Sequence, residues 1–145
     1  MDAVRIEEGA VRGDDQYGRR SKQRLDAEPS CDIEIAIAIA DIDNFKRIND
    51  AFGHEAGDRV LQAVSNALED RVPVGAAIAR LGGEEFAFAG LFASDLAARR
   101  FCDELVGAAR SADCDVGARS LLVTISLGYC FAREDDTVSA LLSRA

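Results

Sequence analysis

Arg80-Leu81-Gly82-Gly83-Glu84-Glu85-Phe86 is the stretch on which the reading of this 145-residue chain turns. Apolar runs flank it, Ala76-Ala77-Ile78-Ala79 before and Phe86-Ala87-Phe88-Ala89 after. Two glycines between such runs predict a β-hairpin, because glycine reaches the positive φ angles that tight turns need. Two carboxylates then stand side by side where the backbone is bare and a ligand can approach. Adjacent carboxylates repel, so they are usually either solvated or bridged by a cation. Taken alone, the stretch reads equally well as an ordinary hairpin with an acidic tip, since Gly-Gly is a common turn signal.

The rest of the chain supplies a setting for the hairpin. Cys31 to Ala40 alternates isoleucine with small or acidic residues at period two, which predicts a strand. One face is bulky and the other is lined with alanine, as in a central strand covered by helices on both sides. Asp41 follows at the strand end, where ligand-binding groups usually lie in open α/β sheets. Asp43 or Asn44 can cap a short helix running to Ala51, with Gly53 ending it. A longer helix is expected from Glu55 to Glu69, with Ala56, Val60, Leu61, Val64 and Leu68 on one stripe. Asp70 to Gly75 reads as a turn. Ser94 caps a third helix to about Arg110, burying Ala98, Phe101, Cys102, Leu105 and Ala109. Ser111 to Arg119 reads as a loop, Leu121 to Phe131 as a strand, and Thr137 as the cap of a last helix only just begun at Ala145. The order β-α-α-β-β-α-β predicts an α/β (α+β) class, a ferredoxin-like, palm-type domain with a central mixed β-sheet flanked by helices.

Composition narrows the function classes. The length is one domain's worth, and 48% hydrophobic with 30% charged residues describes an ordinary globular protein. A formal net charge of −9 argues against a general nucleic-acid surface, which needs a basic face. It leaves room for a nucleotide ligand, since metal ions mediate between protein carboxylates and phosphates. Cys31, Cys102, Cys114 and Cys130 are scattered, and with no signal peptide they read as reduced thiols of a cytoplasmic protein. A zinc site is disfavoured because His54 is the sole histidine. No apolar run approaches a membrane span. Residues 1–30 are polar and charge-clustered and read as a lead-in segment, partly helical around Ser21–Ala27; residues 31–145 read as the domain.

Asp41-Ile42-Asp43-Asn44-Phe45-Lys46-Arg47-Ile48-Asn49-Asp50, then Phe52-Gly53-His54-Glu55-Ala56-Gly57-Asp58, precede the hairpin. Together with the hairpin they resemble the GGDEF family, the diguanylate cyclases that make cyclic di-GMP from GTP. The family patterns D-x-D-x-F-K-x-x-N-D, G-H-x-x-G-D and R-x-G-G-[DE]-E-F are matched at every fixed position and in order. Leu121–Phe131 contains a weaker likeness to the family's T-[VI]-S-[IL]-G segment.

Asp41 and Glu84 can converge on one point if their two strands are neighbours. The resemblance implies that Asp41, the Ile42 carbonyl and Glu84 hold the metal, with Glu85 assisting, and that two Mg2+ (Mn2+ as a substitute) serve each site. It makes Glu84 the candidate for drawing the proton from the 3′-hydroxyl. From spacing alone, Asp41 is also readable as a helix cap or strand-end carboxylate. Phe45 and Lys46 begin the first helix, whose free N–H groups cradle phosphate, and the Lys46 ammonium can offset charge on the transferring phosphate; a solvated surface lysine is the plainer alternative. Asn49 and Asp58 suit guanine, the carboxylate accepting from N1–H and the 2-amino group, and the family gives them that role. Otherwise they are ordinary polar helix residues. His54 either touches the base or caps the turn. Gly82 and Gly83 permit close backbone approach to the nucleotide, and Arg80 either supports the hairpin or pairs with a carboxylate.

Two departures from the family are visible. Its inhibitory R-x-x-D motif would place Arg and Asp where this chain has Pro73 and Ala76. The family's final A-D-x-A-L-Y-x-A-K-x-x-G-R segment is expected to be missing, so the domain reads as lacking its last helix. The implied function is condensation of two GTP into cyclic di-GMP by a transient two-fold homodimer, with no nucleic-acid polymer as partner. The alternatives are a module that binds GTP or cyclic di-GMP without turnover, and a one-substrate nucleotide cyclase on a similar plan.

Overall fold

The structure is a computed structural model, and it describes residues 33–117 and 119–145. The lead-in reading of residues 1–30 lies outside the described residues. Strand β1 (Glu34–Ile42) leads into helices α1 (Phe45–Phe52) and α2 (His54–Glu69). The hairpin of β2 (Ala77–Gly82) and β3 (Glu85–Phe92) follows, then α3 (Asp95–Ser111). A small pair, β4 (Cys114–Asp115) and β5 (Ser120–Leu121), precedes β6 (Ile125–Phe131) and α4 (Val138–Arg144).

The main sheet has the order β2-β3-β1-β6. This is the ferredoxin-like arrangement that the element order predicts. Each helical crossover joins strands that have another strand between them, so every adjacent pair is antiparallel. The sheet is therefore antiparallel throughout rather than mixed: the parallel relations lie between strands that do not touch.

Apolar spacing dictates which faces are buried. On β1 the alanine face is the covered one: Ala36, Ala38, Ala40 and Ile42 are buried, whereas Ile35 is 50% exposed. The small side chains leave room for Phe86 and Phe88 of β3, and these pack with Val60, Val64 and Leu68 of α2 and Leu105 of α3 in one core. The α2 stripe read from the sequence is buried at every position. The isoleucine face is only partly covered among the described residues, with α4 lying against β1 and β6. A Cβ at Gly128 would strike the Ala145 carbonyl, which shows how closely the chain end approaches the sheet. Helical cover of β1 is thus full on the alanine face and partial on the isoleucine face.

Other differences are local. Cys114 and Asp115 pair with Leu121 and Ser120, so the expected loop contains a short hairpin. The expected single strand from Leu121 is broken at Leu122–Thr124, where the chain passes from that hairpin to the main sheet, leaving Leu122 72% exposed and Val123 buried. Helix α3 is capped by Ser94, which accepts from the Ala97 N–H at 3.2 Å. Thr137 caps α4 in the same way, and about two turns of helix follow.

Tyr129 of β6 donates to Asp95 at the start of α3 over 2.9 Å, tying sheet to helix. Burial, with the neighbouring Asp95 carboxylate, pushes its phenol up to about 12. Leu105 is fully buried between the helix pair and the sheet. Leu105→Ala should cost about 2–5 kcal/mol, the transfer and cavity terms together, measurable as a lower midpoint in urea unfolding.

Candidate active site

The hairpin tip meets the end of β1. Asp41 is the cross-strand partner of Glu85 on β3 and of Ser126 on β6, so the three share one sheet face. The Ile42 N–H donates to the Glu84 carbonyl at 3.3 Å, which draws the turn against the strand end. Gly83 has φ +56 and a Cβ there would meet nothing within 4 Å, so the tip is open to a ligand. Arg80 donates through Nε and Nη2 to the Gly83 carbonyl at 2.9 and 2.7 Å. Of its two proposed roles, it therefore supports the hairpin.

The carboxylates feel one another. The Asp41 pKa is raised above 3.8, first by burial and then by the charges of Glu84, Glu85 and Asp43. Like charges held together favour a proton or a cation on one of them. The donors are hard oxygens, the set that suits Mg2+ and Mn2+. Among the described residues no three His, Cys, Asp or Glu side chains form a ready-made metal cage. That is compatible with an ion that keeps waters and takes phosphate oxygens for the rest of its shell.

Helix α1 begins directly beyond this cluster. Asn44 is its N-cap residue, in the left-handed region at φ 59, and its side chain makes no cap bond. Neither candidate side-chain cap is used, because Asn44 adopts a conformation asparagine tolerates and Asp43 is engaged elsewhere. The Asn44 carbonyl accepts from the Arg47 and Ile48 N–H groups, so the Phe45 and Lys46 N–H groups precede the helix's own bonding pattern. The Phe45 ring is buried in the core, so only its backbone is available to a ligand. Lys46 is exposed.

Asn49 lies one turn further along α1 and packs on α2, where a Cβ at Gly57 would overlap its amide. Phe45 lies against the same glycine. Asp58 follows immediately and is exposed, as is His54 at the first position of α2. Gly53, at φ +84, is the shared junction of the two helices and the N-cap of α2, so His54 is not the cap. The structure thus brings Asp41, Ile42, Glu84 and Glu85 together, sets Phe45 and Lys46 beside them, and holds Asn49 next to Gly57 and Asp58.

Sequence reasoning read Asp43 only as a candidate helix cap and passed over its partners Thr124 and Ser126. Asp43 accepts from the Thr124 hydroxyl at 2.5 Å and from the Ser126 hydroxyl at 2.6 Å. Its N–H donates to the Thr124 carbonyl at 2.9 Å. The partners lie more than eighty residues apart, a pairing that spacing does not reveal. Gly57 was visible as a motif glycine, but its reason, the close approach of Asn49, was not.

The fold and site together describe a palm-type α+β domain, a ferredoxin-like sheet with an acidic hairpin beside a helix N-terminus. Comparison with known proteins makes the class specific. The sequence model "Diguanylate cyclase, GGDEF domain" matches residues 19–145, and the chain belongs to that family. The diguanylate cyclase DgcP of Pseudomonas aeruginosa is 36% identical over 112 residues, 77% of this chain and 17% of that protein. The chain spans about a sixth of that relative's length. Among solved structures, the diguanylate cyclase SiaD of Pseudomonas aeruginosa, in complex with its activator SiaC, superposes with a TM-score of 0.73 at 30% identity, covering 90% of this chain and 49% of that one. The GGDEF domain of TpbB (YfiN), from the same organism, superposes with a TM-score of 0.70 at 29% identity, covering 86% and 74%.

The raised Asp41 pKa gives a prediction with a definite sign. A carboxyl whose folded pKa exceeds 3.8 opposes folding when ionised. The penalty is present at neutral pH, relaxes as pH falls through the folded value and is gone below 3.8. Asp41→Asn should therefore raise the melting temperature of the metal-free domain at pH 7 by roughly 1–4 °C. The gain should shrink on acidification. Thermal unfolding with a chelator at several pH values measures both.

Proposed function

We propose that this domain condenses two GTP molecules into cyclic di-GMP. The observation that carries the reading is the meeting of Asp41, Glu84 and Glu85 at the strand ends, immediately before the N-terminus of α1. In the reaction each 3′-hydroxyl attacks the other nucleotide's α-phosphorus, a P–O bond forms, and pyrophosphate leaves. Asp41, the Ile42 carbonyl and Glu84, with Glu85 beside them, would hold divalent cations, Mg2+ or Mn2+, two per site. Such ions lower the hydroxyl pKa and neutralise charge on the phosphates.

The chain's own residues account for the rest. Glu84 takes the proton from the 3′-hydroxyl. The Phe45 and Lys46 N–H groups face phosphate, and the Lys46 ammonium offsets its charge. The open backbone at Gly82 and Gly83 lets the nucleotide lie against the hairpin. Asn49 and Asp58 read guanine, Asp58 accepting from N1–H and the 2-amino group; exposed His54 borders the same edge. One domain presents one such cleft, and the product needs two attacks in opposite senses, so two copies must meet face to face about a two-fold axis. Pro73 and Ala76 stand where the inhibitory Arg and Asp would be, so cyclic di-GMP inhibits by competing for the GTP cleft. The reading places the protein in the cytoplasm, where GTP is available.

A second reading is that the same cleft binds GTP or cyclic di-GMP without turnover. Incubation with GTP and Mg2+, followed by separation of the nucleotides, decides between them. The cyclase yields cyclic di-GMP and pyrophosphate at a rate rising more steeply than protein concentration, while the binding module returns GTP unchanged.

Glu84→Gln keeps the hairpin's shape while removing its charge. It should preserve the circular dichroism spectrum, weaken divalent-cation binding and abolish nearly all turnover. An active variant at ordinary Mg2+ would refute the assignment.

Asn49→Ala or Asp58→Ala should weaken GTP binding by about 1–3 kcal/mol each, the cost of leaving guanine groups unpaired. Losses for ATP should be much smaller. Calorimetric titration with both nucleotides tests this, and equal losses would mean that the two residues support the helices instead.

A further inference from the structure

We propose that Asp43 is a positioning residue: by accepting from Thr124 and Ser126 it latches the β1–α1 turn to β6, and so sets the geometry of the Asp41–Ile42 end that takes the cation. The inference rests on the metal-dependent reading above and concerns a residue to which that reading gives no task.

The turn from β1 to α1 is under tension between two demands. Asp41 and Ile42 still belong to the sheet, paired with Ser126 and Ile125 of β6. Three residues after Ile42 the chain is helical, after a left-handed step at Asn44. Left to itself, such a turn can rotate the Ile42 carbonyl and swing the Asp41 side chain. Asp43 is fixed by three bonds to a single partner segment. Its carboxylate oxygens accept from Thr124 at 2.5 Å and Ser126 at 2.6 Å, and its N–H donates to the Thr124 carbonyl at 2.9 Å. One oxygen serves each hydroxyl, so the carboxylate is gripped at both ends, and hydroxyl donors to an ionised acceptor make short, strong bonds. Ser126 is also the cross-strand partner of Asp41, so the latch closes beside the ligand it steadies. On the opposite side the Ile42 N–H is held by the Glu84 carbonyl. The Asp41–Ile42 peptide is thus clamped between hairpin and β6.

One lone pair of each Asp43 oxygen is taken by a hydroxyl, which fixes the direction of the carboxylate and keeps its charge near the site. Partners that orient ligands without touching the metal change affinity by about 10–100-fold when removed.

The test uses the whole chain and reads Mn2+ affinity by calorimetry and by electron paramagnetic resonance, beside turnover and the KM for GTP. Asp43→Ala leaves both hydroxyls without their acceptor and should weaken Mn2+ binding about 10-fold or more. Its kcat should recover as the cation is raised, with the GTP KM at saturating cation within about two-fold of wild type. The double variant Thr124→Val with Ser126→Ala separates latch from charge, since it removes the donors and keeps the carboxylate. A latch predicts the same loss of affinity; a carboxylate acting only through space predicts unchanged or tighter binding, and that result would overturn the proposal. Thr124→Ser retains the hydroxyl and should restore affinity to within about two-fold. Asp43→Ala with wild-type Mn2+ affinity would overturn it as well. If wild type binds Mn2+ but makes no product, the cyclase reading fails while the affinity comparison still decides the latch. A wild type that binds no Mn2+ up to millimolar concentration overturns both.

Discussion

The register between β1 and β3 is the constraint on which everything else depends. Asp41 opposite Glu85 fixes, through the two-residue period of the strands, that Ala36, Ala38, Ala40 and Ile42 face the helices with Phe86 and Phe88. A slip of one residue would turn the alanines outward and the isoleucines inward, crowding the space the phenylalanines fill. It would also carry the hairpin carboxylates to the other side of the sheet from Asp41. Packing and chemistry are therefore set by the same pairing, and a change that loosens the core loosens the site.

The site is built from rigid pieces joined by short, held turns. The hairpin tip is braced by Arg80 on the Gly83 carbonyl, and the β1–α1 turn by Asp43 on β6. The two helices that follow close upon Gly57, where only a missing side chain admits the Asn49 amide. Each brace uses a polar group at the sheet's end, and the described residues include no buried charged side chain in the core. The charge of the site is kept where water and cations reach it.

Much of this was legible in the sequence, and the limits have physical causes. The hairpin, the α2 stripe and the Ser94 cap all rest on local rules, period, cap chemistry and glycine, and all three appear as read. Convergence of Asp41 with the hairpin carboxylates was conditional on two strands being neighbours, which local pattern does not supply but topology does. The β1 alternation announced two faces, yet not which was covered, because alanine is compatible with either and the choice depended on the bulk of β3. The apparent long strand from Leu121 is two segments, since β-branched and aliphatic composition does not mark the point where a chain changes sheets. Asp43 looked like a helix cap because its real partners are distant in sequence.

Among the described residues the outer strand β2 has a bonded neighbour on one side only, and such a strand is a template for another chain's backbone. Here the hazard is blunted by its own active-site turn. The pairing shifts register between Arg80 and Gly82, a bulge that interrupts the flat run of amides an incoming strand would need, and the Arg80 guanidinium braces the same turn by donating to the Gly83 carbonyl. The geometry that presents the acidic tip to a ligand therefore also guards the domain's solubility, and a variant that straightens the bulge would endanger both at once.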